Sequence, residues 1–94
     1  MKHMIHSFKH KGLQELYKTG ETGRIDQGMH KRIIRRLDAL ASASMPENMN
    51  IPGFDFHGLR GHVPKRYTVH INGPWCVMFE WNDGAENVDY VQYH

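Results

Sequence analysis

Hydrophobic residues recur at helical spacing near the start of the chain. Leu13, Leu16 and Tyr17 would lie on one side of a helix, and Gly20 is a residue that commonly ends one. The pattern therefore predicts a first helix over residues 9–19.

A longer apolar stripe follows and predicts a second helix, from a cap at Asp26 to about residue 44. The stripe consists of Met29, Ile33, Leu37 and Leu40, with Ile34 and Ala41 at its flank. The opposite side carries Lys31, Arg32, Arg35 and Asp38. Such a side is typical of a solvated face and also suits contact with phosphates.

Beyond a loop rich in proline and asparagine, the hydrophobic period changes from helical to alternating. Strands are predicted over residues 54–59, 66–71, 75–81 and 85–91, and a short edge strand over residues 5–8. The turns between the four later strands are short, which indicates an antiparallel meander. Helices first and strands afterwards predict an α+β domain with both helices on one face of the sheet.

Alternation sorts the strand residues onto two faces. The helix-facing side is predicted to hold Phe54, Phe56, Tyr67, Val69, Ile71, Trp75, Val77, Phe79, Trp81, Val88 and Tyr90. The other side receives Asp55, His57, Thr68, His70, Cys76, Met78, Glu80, Asn87 and Asp89. No predicted helix remains to cover this second side, so we expect an open polar face. Such a face is a natural place for a ligand, although polar residues on a solvent-facing sheet need none and in an arbitrary domain usually have none.

The length of 94 residues, 39% of them hydrophobic, predicts a single domain over 1–94. Residues 1–3 precede a second methionine and read as an added leader or as sequence before an alternative start. A single cysteine excludes an internal disulfide, and the start lacks the apolar stretch of a signal peptide or membrane span. The cytoplasm is the expected location.

Charge is distributed unevenly along the chain. Residues 1–44 hold nine Lys or Arg against four Asp or Glu, a balance of +5, while residues 45–94 hold three against six, a balance of −3. A basic first half beside an acidic second half suits a protein that meets a polyanion with one surface, although an ordinary dipolar domain has the same pattern.

Four segments in a characteristic order carry a family resemblance. They read MIHSFKHKGL at 4–13, FHGLRG at 56–61, NGPW leading into VMF at 72–79, and DYVQYH at 89–94. In order and spacing the chain resembles the RelE/ParE superfamily of type II toxins, and in particular its HigB branch, over residues 4–94.

The resemblance implies a compact RelE-like ribonuclease fold, with two helices on one face of a curved antiparallel sheet. It implies a ribosome-dependent endoribonuclease, an mRNA interferase that inhibits translation by cutting messenger RNA at the decoding site. The implied partners are the ribosome, its mRNA and a helix-turn-helix antitoxin through which the toxin reaches operator DNA; no membrane is involved.

RNA cleavage without a metal needs a base for the ribose 2′-hydroxyl, a cation for the crowded phosphate and an acid for the departing 5′-oxygen. His57 matches the mid-chain catalytic histidine of the family and falls on the predicted open face. Arg60 stands where the family generally has lysine. It keeps the positive charge, and its planar guanidinium can bind two phosphate oxygens at once. We expect His57 in proton transfer and Arg60 in charge stabilisation.

The chain ends in Tyr93-His94, which matches the catalytic tail of the family. His94 is expected to act as acid or base, and Tyr93 to orient or stack on a base. Two departures from the family pattern fall near the expected RNA: Cys76 stands where an arginine is common, and Gln92 where an acidic residue is common.

Losing a well-placed cation typically costs about 3–4 kcal/mol of transition-state stabilisation. Lys65, Arg66 and Arg60 are the available substitutes for the arginine that Cys76 replaces. Cys76 itself is not expected to be a nucleophile, because the 2′-hydroxyl of RNA serves as one; a structural thiol is the favoured interpretation.

Eight histidines raise the question of a metal. His3, His6 and His10 are loosely spaced, and the chain contains neither a His-Glu-x-x-His nor a Cys-x-x-Cys arrangement. We therefore expect chemistry that needs no metal and no other cofactor.

Two other functions compete with the enzyme hypothesis. A catalytically weak or inactive relative would act as an antitoxin-binding co-repressor, which Cys76 and Gln92 favour. A stand-alone nucleic-acid binder would present exposed aromatic residues for stacking, whereas alternation sends most aromatic residues into the core.

Overall fold

The computed structural model describes residues 5–92, and the two predicted tail residues Tyr93 and His94 lie outside this range. Two α-helices precede four strands, in the α+β order that the sequence predicts. The elements are α1 (Lys11–Thr19), α2 (His30–Ser42), β1 (His57–Leu59), β2 (Arg66–Asn72), β3 (Trp75–Trp81) and β4 (Ala85–Gln92), with short 3-10 helices at Gln27–Met29 and Pro46–Met49.

Helix α1 has a side-chain cap at one end and a glycine at the other. The His10 Nδ1 accepts the N–H groups of Gly12 at 3.0 Å and Leu13 at 3.3 Å. Gly20 adopts the left-handed φ of 87° and donates its N–H to the Leu16 carbonyl. The predicted start at residue 9 was therefore two residues early, because the cap is the imidazole of His10.

Helix α2 begins later than predicted. Asp26 makes no side-chain cap bond, and residues 27–29 form a 3-10 turn before the α-helix starts at His30. The predicted apolar stripe is confirmed: Ile33, Leu37 and Leu40 are buried. The predicted charged side is confirmed as well, since Lys31, Arg32, Arg35 and Asp38 are all exposed.

One arginine of α2 points inward. Arg36 is 7% exposed and its guanidinium lies 4.4 Å from the centre of the Phe54 ring. It donates to the carbonyls of His70 at 2.9 Å, Arg32 at 3.0 Å and Gly53 at 3.3 Å. Burial lowers the pKa of this guanidinium, with the charges of Arg35 and Arg32 as smaller causes. Arg36 thus ties α2 to the strand β2 and to the loop before β1.

The four strands form one antiparallel sheet in the order β1-β2-β3-β4, which confirms the predicted meander. The register joins His57 to Thr68, Thr68 to Met78, and Met78 to Asp89. These four side chains therefore form one row across the face of the sheet that the helices leave open.

The first sheet strand is shorter than the predicted 54–59. Asp55 has a φ of 48°, which interrupts the extended backbone, and only His57–Leu59 pair with β2. Phe54 is 2% exposed and its carbonyl accepts the His70 N–H at 2.6 Å. Residues 54–56 are thus a kinked approach to the sheet rather than part of a strand.

The N-terminal segment lies along the far edge of the sheet without forming the predicted strand. Phe8 makes a single parallel bridge to Val88, and Ser7 accepts the Val88 N–H at 3.1 Å. Beside this contact β4 carries a bulge at Asn87, whose φ is 53°. The bulge brings Glu86 opposite Glu80 on the open face, an arrangement that strict alternation does not predict.

The core lies between the helices and the predicted apolar face of the sheet. Its buried members from the helices and the sheet include Leu13, Leu16, Ile33, Leu37, Leu40, Phe54, Val69, Val77, Phe79 and Val88. Each such side chain contributes about 1.5–3 kcal/mol when it leaves water. The aromatic residues at the rim are half-buried: Trp75 stacks on Tyr90 with ring centres 4.4 Å apart.

Within residues 5–92, neither helix is long and apolar enough to span a lipid bilayer.

Candidate active site

The open face of the sheet contains a cleft at its β1 side. The cleft has a volume of about 390 Å³ and is lined by Asp55, His57, Gly58, Leu59, Arg60, Thr68, His70, Gly73 and Cys76. The set includes three residues that the sequence singles out, His57, Arg60 and Cys76. The sheet register brings His57 and Cys76 to the same part of the open face. His57 is opposite Thr68, and two residues further along β2 His70 is opposite Cys76.

His57 begins β1 and carries an exposed imidazole. Its Nε2 lies 3.2 Å from the Asp55 Oδ1, with the two side chains 63% and 69% exposed. A contact this exposed to a carboxylate contributes about 0–1 kcal/mol to stability, so folding does not depend on it. The exposure instead leaves the ring accessible to a substrate in the cleft.

Arg60 follows directly after β1 and lines the same cleft. Its side chain is exposed, and within residues 5–92 no carboxylate pairs with it. An imidazole and a guanidinium thus line one solvent-open cleft. The guanidinium can bind a phosphate group, and the imidazole can transfer a proton beside it.

Cys76 forms part of the cleft floor and is 9% exposed. Burial raises the pKa of its thiol, and the negative charge of Asp55 raises it further. The thiol is therefore protonated at neutral pH and a poor nucleophile.

The other predicted RNA-binding residues are placed elsewhere. The Lys65 ammonium lies 5.6 Å from the centre of the Tyr67 ring, whose plane stacks on Phe56 and Phe79 on the helix-facing side. Gln92 pairs with Trp75 across β3 and β4. Alternation assigns Trp75, and therefore Gln92, to the helix-facing side as well. Neither residue is among those that line the cleft of His57.

Arg66 lies on the open face but in a different depression. Its Nε is 3.4 Å from the Glu80 Oε2, and Glu80 also accepts the amide of Asn87 at 3.0 Å. Together with Lys9 and Asp89 these residues line a second cleft of about 240 Å³. The charge of Arg66 is therefore largely balanced by Glu80.

His70 and Asp55 line the cleft although the sequence suggested no role for either. The His70 ring makes a hydrogen bond of 2.9 Å between its Nε2 and the Gly73 carbonyl. Alternation already places both residues on the open face. Their closeness to His57 depends on the sheet register and on the kink at Asp55, which no local pattern predicts.

A larger depression, of about 690 Å³, lies near the end of α1 and the turn before α2. It holds Glu15 and Glu21, and the pKa of Glu15 is lowered mainly by a hydrogen bond from Thr22. Two carboxylates at this place are unfavourable to a phosphate, so the smaller cleft around His57 is the better candidate for RNA chemistry.

No group of three histidine, cysteine, aspartate or glutamate side chains is arranged to hold a metal ion among residues 5–92.

Comparison with known proteins adds to this geometry. Residues 6–94 match the family model described as the RelE-like toxin of type II toxin-antitoxin system HigB. The chain is 32% identical over 92 residues to a protein of Proteus vulgaris named Endoribonuclease HigB, covering 97% of this chain and all of that protein. It is also 27% identical over 93 residues to Toxin HigB-1 of Vibrio cholerae, covering 97% of this chain and 98% of that protein.

Proposed function

Because this chain belongs to the family of RelE-like HigB toxins of type II toxin-antitoxin systems, we propose that it cleaves messenger RNA on the ribosome by acid-base chemistry that needs no metal. The protein is a toxin with endoribonuclease activity, as its relative from Proteus vulgaris is named. Dependence on the ribosome, cytoplasmic action and the roles of individual residues are the parts that we propose.

The observation that carries the proposal is the joint placement of His57 and Arg60 in one open cleft. In the proposed reaction His57 takes the proton of the ribose 2′-hydroxyl, whose oxygen then attacks the neighbouring phosphorus. Arg60 stabilises the extra negative charge on the phosphate oxygens. The P–O5′ bond breaks, leaving a 2′,3′-cyclic phosphate and a 5′-hydroxyl.

The acid that protonates the departing 5′-oxygen is proposed to be His94, with Tyr93 stacking on or orienting a base. Both assignments rest on the resemblance of the chain end to the catalytic tail of the family. Lys65, Arg66 and Gln92 remain proposed RNA contacts outside the cleft, whereas Cys76 contributes to its floor.

A type II toxin has an antitoxin partner, and this chain therefore has one. We propose that the antitoxin is a helix-turn-helix protein that binds operator DNA and brings the toxin to it. The competing function, an inactive co-repressor, is favoured by one observation: a protonated, buried thiol at Cys76 lies in the cleft at a position where the family commonly has a cation.

Induction of the chain alone in cells tests the proposal. Growth should stop, and primer extension on a reporter mRNA should reveal cuts within translated codons that disappear when translation initiation is blocked. His57→Ala is the matched control, since an exposed side chain adds little packing and its loss should leave folding intact.

Growth arrest by a well-expressed His57→Ala protein would remove this residue from the site. Normal growth with the parent protein, combined with tighter operator binding when it joins its antitoxin, would favour the co-repressor instead.

A further inference from the structure

The Asp55 carboxylate contacts the His57 imidazole where the chain enters β1. Asp55 has a left-handed φ of 48°, and its Oδ1 lies 3.2 Å from the His57 Nε2. The contact thus coincides with the kink that shortens β1.

The chain is anchored on both sides of the kink. Before it, the Gly53 carbonyl accepts a hydrogen bond from Arg36, and the Phe54 carbonyl accepts the His70 N–H. After it, His57 pairs with Thr68 in the sheet. A positive φ at a residue other than glycine is unfavourable by itself and persists only where surrounding contacts impose it, as they do here.

Neither stability nor RNA binding accounts for the carboxylate at this position. A side-chain contact as exposed as this one stabilises a fold little. A negative charge in a cleft that receives a polyanion also opposes binding. The remaining effect of the carboxylate is on the imidazole that it contacts.

We propose that Asp55 is a positioning residue for His57. Its carboxylate accepts the Nε2–H of the imidazole, which fixes the ring orientation and leaves the Nδ1 lone pair to take the 2′-hydroxyl proton. This inference rests on the proposed ribonuclease function of the cleft. It concerns a residue that acts through His57 and does not itself contact the RNA.

Asp55 lines the same cleft as His57 and Cys76. Its negative charge is the second cause of the raised pKa of the Cys76 thiol, after burial.

Two substitutions of Asp55 distinguish the effect of its carboxylate from the effect of its backbone conformation. Asp55→Asn retains a residue type that tolerates a positive φ, and Asp55→Gly adopts it without strain. On ribosomes programmed with a defined codon, single-turnover cleavage at saturating toxin should slow about tenfold for Asp55→Asn and more for Asp55→Gly. The toxin concentration giving half the maximal rate should stay the same or fall, because a charge that repels RNA is gone.

Asp83→Asn is the matched control, because Asp83 also has a positive φ, 56°, and is exposed in the turn between β3 and β4, outside the cleft. This variant should cleave at the parent rate. If the removal of any negative charge slowed the reaction, the cleavage rates of Asp83→Asn and Asp55→Asn would fall alike.

A second measurement does not depend on activity. Long-range ¹H–¹⁵N spectra of the His57 ring, in alkaline buffer that keeps the imidazole neutral, should report the Nε2–H tautomer alone in the parent. In Asp55→Gly the Nδ1–H tautomer should appear. Parent-like spectra together with a parent-like cleavage rate in Asp55→Gly would overturn the inference.

The outcomes also separate this inference from the proposed function. If the parent does not cleave, or if His57→Ala cleaves normally, the proposed function itself is wrong. If His57→Ala loses activity while Asp55→Asn and Asp55→Gly keep it, only the positioning role is refuted.

Discussion

His70 and Cys76 face each other across strands β2 and β3, and together they line the cleft that holds His57. The His70 carbonyl also accepts a hydrogen bond from the Arg36 Nε at 2.9 Å. Residue 76 is thus placed in the cleft by its pairing with a residue that is tied to α2, which makes substitutions there informative.

Cys76→Arg should raise cleavage on programmed ribosomes by about tenfold or more, since it adds a cation beside the phosphate. The gain should shrink with added salt, because salt screens the new charge. Cys76→Met, which also lengthens the side chain but adds no charge, is the control and should give no gain. A folded Cys76→Arg protein no faster than the parent would mean that Arg60 already supplies the required charge.

Arg60→Ala should slow cleavage by about 10²-fold, which is typical for the loss of a preorganised charge at the transition state. Arg60→Lys should recover part of the rate, because it keeps the charge but loses the two-pronged geometry. Lys65→Ala serves for comparison, as its ammonium lies over Tyr67 outside the cleft. Equal losses at positions 60 and 65 would contradict the assignment of Arg60.

Deleting His94 should slow ribosome-dependent cleavage by roughly 10²-fold, the usual contribution of a general acid or base. His94→Asn, which keeps the chain length, should give a similar loss. The rate is measured in single turnover on the same programmed ribosomes. A truncated protein that cuts at the parent rate would show that His94 takes no part in the reaction.

Arg36→Met should destabilise the fold by about 2–4 kcal/mol, since three carbonyls lose a charged donor, one of them in β2 and one in the loop before β1. The neighbouring exposed Arg35→Met is the control, with an expected change below about 0.5 kcal/mol. Urea unfolding measures both. An unchanged midpoint in Arg36→Met would show that the hydrogen bonds of this guanidinium are replaceable.

The Cys76 thiol should react slowly with iodoacetamide at pH 7. Its pKa is raised, first by burial and then by Asp55, so the reactive thiolate forms only at a higher pH than in a free cysteine. Mass spectrometry of the native protein across a pH series should therefore show the rate rising later than that of an unstructured cysteine peptide. Alkylation as fast as in the peptide would contradict the buried position.

The sequence by itself predicted the elements and their faces. Helical spacing identified both helices, and alternation identified the apolar face of the sheet and the open face that carries His57, His70 and Cys76. These properties are predictable because side-chain direction follows a short period, 3.6 residues in a helix and two in a strand. The resemblance to the HigB branch was likewise carried by local segments in order.

The tertiary structure decided which open-face residues come together. Asp55 contacts His57 at a point where its backbone departs from the extended form, between two anchored segments. Lys65 and Gln92 are associated with Tyr67 and Trp75 on the helix-facing side, outside the cleft of His57. Arg36 lies within a charged helix and yet is buried, because carbonyls distant in sequence satisfy its guanidinium. Kinks, register and buried charges depend on partners far along the chain, and a local period contains no information about them.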